Sequence, residues 1–154
     1  LVNFAHYIST SQKIAQAAVV AADVVSRANK AVKEADFTDA FTAAELAITP
    51  LAIGNVRVDV YDYYGSPGTL RWKKSSPNGP NCAPPDPSAD TLRTLLIPSG
   101  ATPSSDVVVS LVCMAYAAPV PRFPGLTQFF SNIVIQRSMY LRPRLSSTLT
   151  CDAC

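Results

Sequence analysis

Residues Asn55–Lys74 read NVRVDVYDYYGSPGTLRWKK. Val56, Val58 and Val60 alternate with Arg57, Asp59 and Tyr61, the period of two that turns one set of side chains to a core and the other to solvent. Ser66-Pro67-Gly68 predicts a turn, and Thr69 to Lys73 a second strand, with Leu70 and Trp72 on one face and Arg71 and Lys73 on the other. So short a link joins antiparallel neighbours. This hairpin commits the chain to an antiparallel sheet.

Upstream of it the period is helical. Residues 1–33 hold neither Pro nor Gly and are rich in Ala, which predicts one long helix. Ile8, Ala15, Ala18, Ala22, Val25 and Ala28 form an apolar stripe, opposed by Gln12, Lys13, Gln16, Asp23, Arg27 and Lys30. The opening, with Leu1, Val2, Phe4, Tyr7 and Ile8, is apolar nearly all round, as a helix is where it enters a core, a partner or a bilayer. Residues 36–50 predict a second helix, capped by Thr38 or opened by Asp39, with Phe41, Ala44, Leu46 and Ile48 as its apolar mass and Pro50 and Gly54 as its stop.

Downstream, residues 75–90 carry Pro77, Pro80, Pro84, Pro85 and Pro87 around Asn78-Gly79 and predict a loop. A short helical turn follows near 90–96, capped by Ser88 or Asp90, then a polar link over 98–105. Residues 106–118 are nearly continuous in apolar and β-branched side chains, the mark of a central strand buried on both faces. Pro119, Pro121, Pro124 and Gly125 force an extended crossing. A last strand spans 129–141, and residues 146–154 form a tail with Cys151 and Cys154. Helices first and a strand meander after them predict one α+β domain over 1–154, a long helix packed on an antiparallel sheet of about four strands within 55–145.

Composition narrows the function. Hydrophobic residues make up 48% and charged residues 16%, too apolar for a disordered chain. No run reaches the roughly 18 apolar residues of a spanning helix. The net charge is +2 with no basic stripe, so no nucleic-acid partner is expected. His6 is the single histidine and sits among Phe4, Tyr7 and Ile8, with no partner set for nucleophilic catalysis. Cys151-x-x-Cys154 is the one close cysteine pair, short of the four ligands zinc takes, and no helix follows it to activate a thiol. Six scattered glycines make no phosphate loop. Asp59 and Asp62 do not share a strand face and make no carboxylate pair. No enzyme activity, cofactor, metal or small-molecule substrate is expected. Tyr61, Tyr63 and Tyr64 could form an adhesive patch or plain cross-strand packing.

Cys82, Cys113, Cys151 and Cys154 are even in number, and exposed thiols in loops and tails suit an oxidising compartment. The preferred pairing is Cys82–Cys113 with Cys151–Cys154. Cys82 bonded to either tail cysteine is the alternative, and would tie the C-terminus to the Pro-rich loop.

The stretch HYISTSQKIAQAAVVAADVVSR, residues 6–27, resembles the region just after the membrane span of TadE/TadG-like proteins of tight-adherence pilus assembly. Trp72 after the first hairpin, the Tyr116–Pro119 region and the ending YLRPRLSSTLTCDAC are similar to that family as well. The Pro-rich loop around Cys82 departs from its pattern. The resemblance implies a type IV pilin-like fold and a non-enzymatic role as minor pilin or pseudopilin of a Flp-type fibre. It implies a periplasmic or extracellular place, anchored at the bacterial inner membrane or built into the pilus, with other pilins as partners. Leu1 is expected to continue a membrane helix of the native protein. The small-residue stripe, with Ile8, Ala15, Ala18 and Ala22, is the expected partner contact. Part of it must pack on the protein's own sheet, leaving the free part nearer Leu1. An adhesin-like module using the Pro-rich loop and exposed tyrosines is the alternative.

Overall fold

The structure is a computed structural model that describes residues 2–50, 55–64, 68–86, 88, 91, 94–95, 106–116 and 133–154. The expected stop at Gly54, the core of the 66–68 turn, most of the 90–96 turn, the 98–105 link, the 119–125 crossing and the start of the last strand lie outside these residues.

Helix α1 spans Val2–Ser26. Its buried residues are Thr10, Ser11, Ile14, Ala17, Ala18, Ala21, Ala22, Val25 and Ser26. Nearly all are small, so the helix backbone lies close to what it covers. The helix stops well short of residue 33. Its last turn tightens, with Arg27 N–H donating to Val24 O at 3.3 Å and Ala28 N–H to Val25 O at 3.1 Å. Lys30 then adopts φ 70°, and Ala31–Val32 forms strand β1. A distant part of the chain overrides local helix propensity here, because β1 pairs in parallel with strand β6, Thr150–Cys151.

Helix α2 spans Glu34–Ile48, and its start corrects the expected cap. Asp36 reaches back to accept the Lys33 N–H at 2.8 Å, and Glu34 and Asp36 place acid in the first turn. Thr38 is already inside the helix, its hydroxyl donating to Glu34 O at 3.0 Å. Phe37, Ala40, Ala44 and Ile48 are buried at helical spacing, whereas Leu46 points out, 69% exposed.

Strands β2 (Val56–Tyr64), β3 (Thr69–Ser75), β4 (Val107–Ala115) and β5 (Val134–Leu141) form one antiparallel sheet. Their order is β3-β2-β4-β5, not that of a plain meander, since β4 pairs with β2 rather than with β3. The hairpin of β2 and β3 carries a further correction. Asp62 faces Trp72 but Tyr63 faces Leu70, so Arg71 is the extra residue of a bulge. Leu70 therefore leaves the face of Trp72 and stands 47% exposed, while Trp72 is buried.

Both faces of the sheet are covered. Val56, Val58, Val60, Val108, Val112 and Met114 meet α1 and α2. Tyr61, Tyr63, Val107, Val109, Leu111 and Cys113 form a second cluster with Cys82 on the other face. The Pro-rich loop supplies that cover. Ser76 N–H donates to Val58 O at 2.8 Å, and Gln136 exchanges two hydrogen bonds of 2.9 Å with the backbone of Ala83. Gly79, at φ +90°, lies against the backbone of Val56 and Arg57.

Cys82 is bonded to Cys113 and Cys151 to Cys154. The first bridge pins the loop to β4, so Cys82 is not an exposed loop thiol but 9% exposed. Replacing Cys82 and Cys113 together by Ala is expected to lower stability by about 3–4 kcal/mol, the chain-entropy value for a loop of that length. Urea unfolding followed by circular dichroism measures the loss.

Residues 146–154 are more than a tail. Leu149 is fully buried in the main core. Trp72 Nε1–H donates to Leu149 O at 3.0 Å, Thr150 N–H to Lys30 O at 2.8 Å, and Asp152 N–H to Val32 O at 3.0 Å. Lys74 Nζ closes the arrangement with Ala153 O at 2.7 Å and Glu34 at 2.9 Å.

Candidate functional site

The outer face of α1 is the candidate contact surface. Val2, Phe4, Ile8 and Val19 are 66%, 61%, 40% and 45% exposed. Phe4, Ile8, Ala15 and Val19 fall at spacings that share one side of a helix. Ala15 is half-buried and lines a shallow hollow with Gln16, Val19, Val20 and Ala47 of α2. Ala18 and Ala22 have no exposure and serve the chain's own core. Of the four expected contact residues, Ile8 and Ala15 thus remain on the outside.

The first turns of α1 are tethered on their other side. The Tyr116 hydroxyl donates to Asn3 O at 2.9 Å and lies 3.1 Å from His6 Nδ1. The Tyr7 ring meets the Tyr116 ring edge-on at 5.4 Å. His6 therefore belongs to the packing that fixes the helix start.

Two charged clusters flank β2 on opposite faces. Asp59 is 1% exposed and is paired with Arg57 at 2.8 Å and Lys73 at 3.4 Å. Burial alone would lower Lys73, but hydrogen bonding to Tyr61 and the charge of Asp59 outweigh it and hold the ammonium above its usual range. Asp62, on the helix side, has as its carboxyl neighbour Asp106, the residue before β4. Both are fully buried. The bulge residue Arg71 approaches both, 3.9 Å from Asp62 Oδ2 and 3.4 Å from Asp106 Oδ2. Burial pushes the Asp62 carboxyl up to about 8, with the Asp106 charge adding and Arg71 opposing. Burial likewise raises Asp106 above the carboxylate range, against the Leu149 N–H and Arg71.

The sequence reading weighed Asp62 against Asp59 and missed Asp106. Two signals pointed to the pair: Asp62 falls in phase with Val56, Val58 and Val60, and Asp106 opens an otherwise apolar strand.

The tyrosines divide differently from a surface patch. Tyr61 and Tyr63 are 2% and 4% exposed, their rings stacked at 6.2 Å. Tyr64 alone of the three is exposed, with the Arg71 guanidinium 4.7 Å from its ring centre. All four cysteines are in disulfides. Among the described residues no group of three or more His, Cys, Asp or Glu could hold a metal ion, and no helix is long and apolar enough to cross a membrane.

Comparison of the chain with protein-family models, with curated proteins and with solved structures finds no match.

Proposed function

We propose that the chain is a non-enzymatic assembly component, a pilin-like subunit of the TadE/TadG kind that its sequence resembles, acting by docking the outer face of α1 against apolar helices of other pilins. The observation that carries this reading is the row of Phe4, Ile8 and Val19, large apolar side chains exposed on one side of a helix whose other side is packed. Ala15 in the middle of that row lets a partner helix approach closely. Two disulfides favour a periplasmic or extracellular place, at the inner membrane or within the fibre. The burial of Tyr61 and Tyr63 beneath the Pro-rich loop weighs against an adhesin-like use of the tyrosines.

Charged substitutions on this row test the proposal. Phe4→Glu and Ile8→Glu are expected to leave the melting temperature of the isolated domain within about 2 °C, since both side chains already face solvent. In cells carrying the protein, surface pili should fall at least tenfold. Ala15→Trp should lower pilus yield as well, and its melting temperature separates a lost partner contact from overpacking against Ala47. Normal pilus yield from all three variants removes α1 from the mechanism.

A further inference from the structure

Asp62 on β2 pairs with Val108 of β4, two residues on from Asp106, and Asp106 holds the segment that runs through Leu149. Of their four carboxyl oxygens, Asp106 Oδ2 accepts the Leu149 N–H at 2.6 Å. Asp62 Oδ1, Asp62 Oδ2 and Asp106 Oδ1 are sealed from solvent with no donor. Buried acceptors are normally paired, and two buried carboxylates facing a single guanidinium leave one negative charge unmatched. One proton removes the unmatched charge and pairs two of the three orphaned oxygens, because a carboxylic acid gains an O–H donor that the other carboxylate can accept.

We propose that Asp62 and Asp106 hold one proton between them at neutral pH, and that this proton is the latch that keeps the C-terminal segment Ser147–Cys154 seated on the sheet. The segment is attached at the pair itself: Asp106 N–H donates to Ser147 O at 2.7 Å, and Leu149 N–H to the Asp106 carboxylate. When the proton leaves to solvent, two negative charges face each other in a dry site. Water relieves them by the weakest route, past the two-residue strand β6 rather than through the middle of the sheet. The charged groups at the site come from three elements. Asp62 lies on β2, Asp106 precedes β4, and Arg71 on β3 is the only cation paired with either carboxyl among the described residues. The covering segment contributes the Leu149 backbone N–H.

The sign follows from the raised carboxyl. Asp62 binds its proton more tightly closed than open, so its contribution to closure is complete near pH 4 and shrinks as pH rises to about 8. The opening constant of the segment then grows by up to tenfold per pH unit in that window and levels off above it. Amide exchange of Thr150 and Asp152, measured in the wild type and in Asp62→Asn at the same pH, cancels the intrinsic effect of hydroxide. The ratio of wild-type to variant exchange should rise at least tenfold between pH 5 and 8 at these two amides, with no rise at Val112 in the central strand. Asp106→Asn, which also leaves at most one negative charge, is the reference if Asp62→Asn does not fold. A ratio constant within twofold overturns the latch. So does an equal rise at Val112, which would make the pair a determinant of global stability only.

Discussion

Gly79→Ala is expected to destabilise the domain by about 4 kcal/mol, combining a strained backbone of about 1–3 kcal/mol with overpacking of about 1–3 kcal/mol. Gly79 has φ +90°, a conformation that side-chain-bearing residues rarely adopt. A Cβ there would also stand 2.3 Å from Arg57 N and 2.4 Å from the Val56 carbonyl carbon. Both are backbone atoms of β2 and cannot rotate away. The loop would have to lift from the sheet, taking with it the cover over Tyr61, Tyr63 and Cys113. Urea unfolding by circular dichroism checks the magnitude. A loss under 1 kcal/mol would mean that the loop has room to move outward without disturbing the sheet.

Trp72→Ala is expected to cost about 3–5 kcal/mol, the range for truncating a buried large aromatic side chain. Trp72 is 7% exposed and packs edge-on against Phe37, ring centres 5.6 Å apart. Its Nε1–H also holds Leu149 O, so one side chain joins β3, α2 and the C-terminal segment. Trp72→Phe separates the two contributions. It keeps much of the ring contact and drops the hydrogen bond, with a loss nearer 1 kcal/mol beyond the reduced packing. Equal losses in the two variants would assign the stabilisation to the hydrogen bond instead of the ring.

The hairpin, the helical opening and the buried central strand were legible because each rests on local periodicity. The alternation at Val56, Val58 and Val60 survives intact, and β4 is buried along nearly its whole length. What escaped reading depends on contacts between distant residues. Nothing near Lys30 announces that Ala31 and Val32 will pair with Thr150 and Cys151. The strict alternation read into β3 fails at Arg71, because a bulge inserts one residue without changing composition. The strand order escaped for the same reason: the loop that lets β4 reach β2 looks, residue by residue, like an unstructured link. On the candidate surface, helical spacing identified the small-residue stripe. The sequence alone could not say which of Ala15, Ala18 and Ala22 would face the chain's own sheet. The carboxyl pair needed the register of β2 against β4.

The parallel pairing of β1 with β6 has a consequence for how the domain comes into being. A chain that emerges vectorially, N-terminus first, from a ribosome or an export channel presents α1, α2 and β1 early. These elements wait for Leu149, Thr150 and Cys151 before the core around Trp72 and Val32 is closed. The four-stranded sheet is likewise incomplete until β5 arrives. Until then the inner face of α1 lacks β5, one of the strands it packs against. The fold is therefore sealed from its end, and a partly emerged chain keeps open the same helix surfaces that the finished domain buries.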